Sequence, residues 1–97
     1  MGKHITAHVT GKVQGVFFRD ATKKYAEDQG LCGMVRNEPD GSVYLEAEGE
    51  SEKVDALIEW LNHGPSSADV ENVKIDDEGS PKGFTNFAIE RPDAGYA

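Results

Sequence analysis

An α+β sandwich, a single sheet carrying both helices on one face, is the fold this chain predicts. Three observations carry that expectation. Short segments alternate apolar and polar residues with period two, other segments show apolar stripes at helical spacing, and the two kinds follow one another as β-α-β-β-α-β with a short final strand.

The elements follow in chain order. Ile5, Ala7 and Val9 alternate with Thr6, His8 and Thr10, the pattern of a half-buried strand. Phe18, Ala21 and Tyr25 fall on one face of a helix spanning about Arg19 to Gln29, with Gly30 as its C-terminal stop. Leu31, Gly33 and Val35 start a second strand that runs to about Asn37. Glu38-Pro39-Asp40-Gly41 is a turn, and Val43, Leu45 and Ala47 alternate after it, so strands two and three form a hairpin. Ser51 is placed to cap the second helix, whose apolar face is Val54, Leu57, Ile58 and Leu61 and whose stop is His63-Gly64-Pro65. Val73 and Ile75 mark a fourth strand, and Val70, out of phase with them, predicts a bulge or an irregular start. Asp77 to Gly83 reads as a polar loop, Phe87 and Ile89 as a short last strand, and Pro92 to Ala97 as a loose tail.

This order matches the ferredoxin-like βαββαβ arrangement, an antiparallel sheet with two helices on one face plus the short final strand. In that arrangement strands one and two run parallel with strand three between them, so their C-terminal ends meet at one sheet edge. The 11–19 loop leaves strand one there and Asn37 ends strand two there. Arg19 and Asn37 are therefore expected to face one shared cleft.

At 97 residues the chain makes a single domain, 1–97. A chain of this size buries roughly 60–65% of its unfolded surface, enough for one core. Ten Lys and Arg stand against eighteen Asp and Glu, a formal charge of −8, which disfavours nucleic acid, whose binding rests on cations against phosphate. The one cysteine, Cys32, cannot form an intrachain disulfide, so the fold does not depend on an oxidising compartment. No apolar run approaches the ~20 residues that span a bilayer. Met1-Gly2-Lys3-His4-Ile5-Thr6 matches a crude myristoylation pattern, but the start of a first strand is the stronger reading of the same residues. The expectation is a cytoplasmic monomer, without membrane or nucleic-acid partner.

The chemistry concentrates in Gly11-Lys12-Val13-Gln14-Gly15-Val16-Phe17-Phe18-Arg19. Its glycines allow a tight turn with exposed N–H groups, a helix N-terminus follows at once, and such termini attract anions. Arg19 adds a planar guanidinium suited to phosphate. Asn37 brings an amide that both donates and accepts hydrogen bonds and can hold a water against phosphorus. No nucleophile with an attached base is present, because Cys32 lies on a strand without a His partner and the loop lacks Ser and Thr. No general acid is visible near the loop. A phosphate monoester expels an alkoxide and needs an acid or a metal, whereas a carboxylic–phosphoric anhydride expels a carboxylate and needs neither. The inventory therefore suits acyl phosphates, by positioning and charge stabilisation.

The loop is similar to the G-x-V-Q-G-V-x-F-R signature of the acylphosphatases, and Gly33-Met34-Val35-Arg36-Asn37-Glu38-Pro39-Asp40-Gly41-Ser42-Val43 resembles their second signature, G-x-V-x-N-x-x-D-G-S-V. Both come in family order and spacing, and the resemblance covers roughly residues 4–91. It implies hydrolysis of acyl phosphates to a carboxylate and inorganic phosphate, with no metal and no cofactor. It implies that Arg19 and the backbone of Gln14, Gly15, Val16, Phe17 and Phe18 bind the phosphoryl group. It also implies that Asn37 orients the attacking water, the substrate's own phosphate taking the proton.

Plainer roles stand beside these. Val13, Val16 and Phe18 serve loop and core packing. His4 and His8 lie roughly 13 Å apart along a strand, too far to chelate one ion, and are expected at the surface. His63 sits at a helix C-terminus, Cys32 packs on its strand, Trp60 is partial core, and Glu46, Glu48 and Glu50 form a solvated strand face. Three other functions compete. An RNA-recognition domain shares the element order, but strand three carries one aromatic, Tyr44, with Glu46 and Glu48. A phosphate or acyl phosphate sensor would use the same pocket without turnover. A detached relative of the acylphosphatase-like domains in larger carbamoyl-transfer proteins is the third, and the short chain argues against it.

Overall fold

In a computed structural model, which describes residues 2–90, the chain folds as β1 (Gly2–Lys12), α1 (Phe18–Asp28), β2 (Cys32–Asn37), β3 (Val43–Glu50), α2 (Ser51–Leu61), β4 (Asp69–Gly79) and β5 (Phe87–Glu90). The strands form one sheet in the order β4-β1-β3-β2-β5. β3 pairs antiparallel with both β1 and β2, so β1 and β2 are parallel, as the element order predicts. The one departure from an antiparallel sheet is β5, which adds in parallel to β2. The loose tail expected at 92–97 lies outside the described residues.

One face of the sheet is dry. Ile5, Ala7 and Val9 of β1, Val35 of β2, and Val43, Leu45 and Ala47 of β3 are fully buried under the helices, as their period-two spacing requires. α1 packs on β2 and β5, and α2 packs on β1 and β3. α2 buries Val54, Leu57 and Leu61, the predicted stripe, with Ile58 at its margin. Ser51 is the first helical residue rather than the cap: Glu50 holds that position, and it makes no side-chain capping bond. In α1 the buried residues are Phe18, Thr22 and Ala26, one position round from the expected Ala21 and Tyr25. Burying Thr22 is inexpensive because its hydroxyl donates to the Phe18 carbonyl at 2.8 Å. Trp60 is partly buried as expected, stacked on Tyr25 at 5.1 Å and tilted against Phe18.

β4 is longer than its apolar residues suggested, running to Gly79 into the segment expected to be loop. Its pairing with β1 slips between Thr10 and Gly11 and between Thr6 and Ala7. The first slip explains why Val70 is out of phase, and it also explains Gly11. A Cβ on Gly11 would lie 2.2 Å from the Asp69 carbonyl oxygen, and its φ is +122°, so this glycine serves the approach of β4 rather than the turn of the loop.

The other face is covered by something the periodicity does not reveal. β4 and β5 sit at opposite edges, four strand spacings or about 19 Å apart. The connecting segment, residues 80–86, must cross the helix-free face to join them. Glu48 on β3 holds it there, accepting the backbone N–H groups of Lys82, Gly83 and Phe84 at 2.7–2.9 Å. Phe84 stacks on His4, its ring within 5° of parallel. His4 is therefore fully buried and Glu48 nearly so, contrary to the surface roles expected for both. His4 Nε2 lies 2.9 Å from Glu46 Oε1, which carries the network to Tyr44, whose hydroxyl donates to Glu46 Oε2. Burial, with the Glu46 charge second, pushes the Tyr44 phenol up to about 12. His8 is half-exposed and bonds Asp76.

Burial alone would raise the Glu48 carboxyl, but the three backbone donors, with His4 nearby, outweigh it and hold the group below the ordinary glutamate range. A depressed folded-state value stabilises the native protein above the ordinary value and loses that contribution as pH falls through the depressed one. We therefore expect Glu48→Gln to flatten the acid limb of a stability–pH curve measured by urea unfolding. Glu48→Ala should cost about 1–3 kcal/mol at neutral pH by leaving the 82–84 amides without their acceptor.

Candidate active site

β1 and β2 end at the same end of the sheet, on either side of β3, and the segment 13–17 and the turn 38–42 extend beyond them. The turn builds itself first. Asp40 Oδ1 accepts both the backbone N–H and the hydroxyl of Ser42, bonds that hold its carboxyl below the usual aspartate range. The Gly41 N–H donates to the Glu38 carbonyl, and the Glu38 N–H donates to the Ser42 carbonyl. Gln14 then ties the loop to this turn: its Nε2 donates to both carbonyls, Glu38 at 2.8 Å and Ser42 at 2.9 Å. Gln14 thus contributes through its side chain, a role the loop composition does not reveal. On the other side, the Val16 carbonyl accepts the Ser67 hydroxyl at 2.7 Å.

Between these tethers the backbone turns through two left-handed residues, Gly15 (φ +72°) and Phe17 (φ +62°). Alternation of this kind folds successive N–H groups into a concavity suited to an anion. Among the described residues the N–H groups from Gly15 to Arg19 have no hydrogen-bond acceptor, the first helical bond being Ala21 N–H to the Phe17 carbonyl. The N-cap position of α1, Phe17, supplies no side-chain cap. The positive end of the helix therefore opens directly onto the loop.

A cleft of about 230 Å³ lies here, lined by Val13, Gly15, Phe17, Phe18, Arg19, Asp20 and Ile89. Arg19 is half-buried and, among the described residues, makes no ion pair, whereas Arg36 on β2 is held by Glu38 and Glu90. Of the residues expected from the sequence, Gly15, Phe17, Phe18 and Arg19 meet in the cleft, while Gln14 and Val16 brace it from either side. Asn37 does not line it. It ends β2 opposite Val43, one residue before a carbonyl that holds Gln14, and its Oδ1 is buried without a hydrogen-bond partner among the described residues. Val13 and Phe18 are core residues, as expected, and also reach the cleft.

Two lining residues were missed. Asp20, next to Arg19 in the chain, also lines the cleft, so an acidic residue does stand near the loop. Its signal was its position next to Arg19 in the first helical turn. Ile89 has no local signal, because only the parallel pairing of β5 with β2 brings it here. No group of three or more His, Cys, Asp or Glu side chains among the described residues could hold a metal ion. No described helix is long and apolar enough to cross a membrane.

Fold and cleft together define a small ferredoxin-like α+β domain with an arginine-containing cleft where the loop after β1 meets the start of α1. The acylphosphatase family model matches residues 5–89, and the chain belongs to that family. It is 45% identical to an acylphosphatase of Rubrobacter xylanophilus over 90% of this chain and 79% of that one. It is 44% identical to one of Salinibacter ruber over 92% and 94% of the two chains. The solved acylphosphatase structure from Coxiella burnetii superposes with a TM-score of 0.87 at 40% identity, covering 92% of this chain and 93% of that one.

Removing the Gln14 tether should loosen loop and turn together. Gln14→Ala is expected to cost about 1–2 kcal/mol, the worth of its paired hydrogen bonds. Hydrogen exchange should speed up at Gly41 and Glu38 and in the loop, while the amides of α2 stay unchanged.

Proposed function

We propose that this chain hydrolyses acyl phosphates to a carboxylate and inorganic phosphate, with Arg19 and the loop N–H groups holding the phosphoryl group and Asn37 orienting the water. The observation that carries this is the union in one cleft of a half-buried guanidinium with no ion pair among the described residues and a run of backbone N–H groups with no acceptor among them. The roles follow from charge. The Arg19 guanidinium and the N–H groups from Gly15 to Phe18 donate to the phosphoryl oxygens and stabilise the charge spread over them as the bond breaks. Water attacks phosphorus in line with the leaving group. The P–O bond to the acyl carbon's oxygen breaks, and its electron pair leaves on the carboxylate. The water proton passes to a phosphoryl oxygen of the substrate. Asn37 ends β2 one residue before the Glu38 carbonyl that holds Gln14, and its Oδ1 has no donor among the described residues, so its amide can turn to accept a hydrogen bond from that water.

A carboxylate leaves without protonation, so the step calls for no metal and no cofactor, and Asp20 need donate no proton. The reading takes the enzyme to be a cytoplasmic monomer acting on a free small molecule, without nucleic-acid or membrane partner. The formal charge of −8 supports this, as does the fact that Phe17 is the only large apolar side chain exposed among the described residues.

The test is hydrolysis of benzoyl phosphate with excess EDTA. Turnover should persist without metal. Arg19→Ala should lose 100-fold or more in kcat/KM with a raised KM, a loss on the order of that for removing a transition-state donor. Arg19→Lys should recover little, because a point charge cannot reproduce the planar fork. Asn37→Ala should lower kcat by about 100-fold with KM little changed, the mark of a group used in the transition state. A folded wild type without turnover would overturn the proposal.

A further inference from the structure

The proposal above leaves the acyl half of the substrate without a contact, and Phe17 offers one. Local rules at this position favour other residues. A left-handed conformation favours Gly or Asn, a helix N-cap favours Ser, Thr, Asp or Asn, and a solvent-facing site disfavours a phenyl ring. Phe17 is left-handed (φ +62°, ψ +23°), occupies the N-cap without capping, and is 77% exposed. A residue that breaks several local preferences at once is a pointer to function when it lies at a site. Phe17 lines the cleft together with Arg19, with Ile89 and Val13 as further apolar lining.

We infer that the Phe17 ring is the acyl-side subsite, and that the enzyme prefers acyl phosphates whose acyl group is apolar and preferably aromatic. The inference rests on the acyl phosphate reading of the cleft. The chemistry is that of an amphiphilic ligand. The phosphoryl end is held by Arg19 and the loop N–H groups, and the carbonyl substituent extends along the cleft toward an exposed ring and the Ile89 side chain. An aryl group stacked or tilted on Phe17 removes apolar surface of both partners from water, whereas a methyl group removes little. The left-handed backbone holds the ring at the cleft while turning the neighbouring N–H groups to the anion, so one strained residue serves both halves of the substrate.

The experiment compares kcat/KM for benzoyl phosphate and acetyl phosphate in wild type, Phe17→Asn and Phe17→Tyr. The two substrates share their phosphoryl group, so a change in their ratio between variants reports the acyl side alone, whatever each variant does to the loop. Asn tolerates the left-handed conformation and removes the ring; Tyr keeps the ring. The benzoyl-to-acetyl ratio should fall about tenfold in Phe17→Asn, the worth of roughly 50 Å² of apolar surface, and stay within about twofold of wild type in Phe17→Tyr. If Phe17→Asn turns over neither substrate, calorimetric dissociation constants for phenacylphosphonate and acetonylphosphonate, in which a methylene replaces the bridging oxygen, give the same ratio. An unchanged ratio in Phe17→Asn overturns the inference and leaves the hydrolytic reading intact; a ring kept only for packing would show this, with a lowered urea midpoint. If wild type hydrolyses neither substrate, both readings fall.

Discussion

The parallel alignment of β1 and β2 with β3 inserted between them is the constraint on which the rest of this molecule depends. It makes the loop after β1 and the turn after β2 leave the sheet at the same end. Only then can one amide, Gln14 Nε2, reach two carbonyls of the 38–42 turn. The same constraint fixes β5. Added in parallel to β2, it carries Ile89 toward that end and into the cleft. It also sets β4 and β5 at opposite edges, so that residues 80–86 must cross the free face of the sheet. A site at one end and an anchored crossing behind it are two results of one strand order.

The electrostatics work against the global charge of the chain. A molecule at −8 repels anions at long range, softened by salt over about 10 Å. The cleft counters this locally. Arg36 is held between Glu38 and Glu90, while Arg19 has no carboxylate partner among the described residues and opens onto the cleft. The N–H groups beside it are oriented by backbone already fixed at both ends, by Gln14 and by the Ser67 hydroxyl on the Val16 carbonyl. Preorganisation of this kind means that little has to reorganise when charge develops on the phosphoryl oxygens. The cost is carried by the loop itself, in the left-handed Phe17 and an uncapped helix.

The far face uses polar groups for a different purpose. Glu48 gathers consecutive backbone N–H groups, and His4 lies under Phe84 beside Glu46, so the crossing segment is secured without an apolar core of its own. Every member of that network lies on the face away from the helices. Arg36, one residue before Asn37, stands over the Tyr44 ring at 4.7 Å and links this face to the end of β2.

What the sequence by itself determined was most of what near neighbours govern, although Ser51 is a helical residue rather than a cap and the buried face of α1 lies one position round from its apolar stripe. The alternation of Ile5, Ala7 and Val9, the stripe of Val54, Leu57 and Leu61, the Glu38–Gly41 turn and the composition of the loop are all local, and so the element order, the dry face and the position of Arg19 were legible. What only the tertiary structure decided was everything that depends on a distant segment. Periodicity assigns a residue to a face but does not say what covers that face, so His4 and Glu48 looked exposed until residues 80–86 crossed above them. Gly11 looked like a turn glycine until β4 came within 2.2 Å of its missing side chain. Gln14 looked like a backbone donor until its side chain found a turn more than twenty residues away. Ile89 belonged to no site until β5 chose β2 as its partner. In each case the deciding contact joins segments far apart in the sequence, where spacing along the chain carries no information about distance in space.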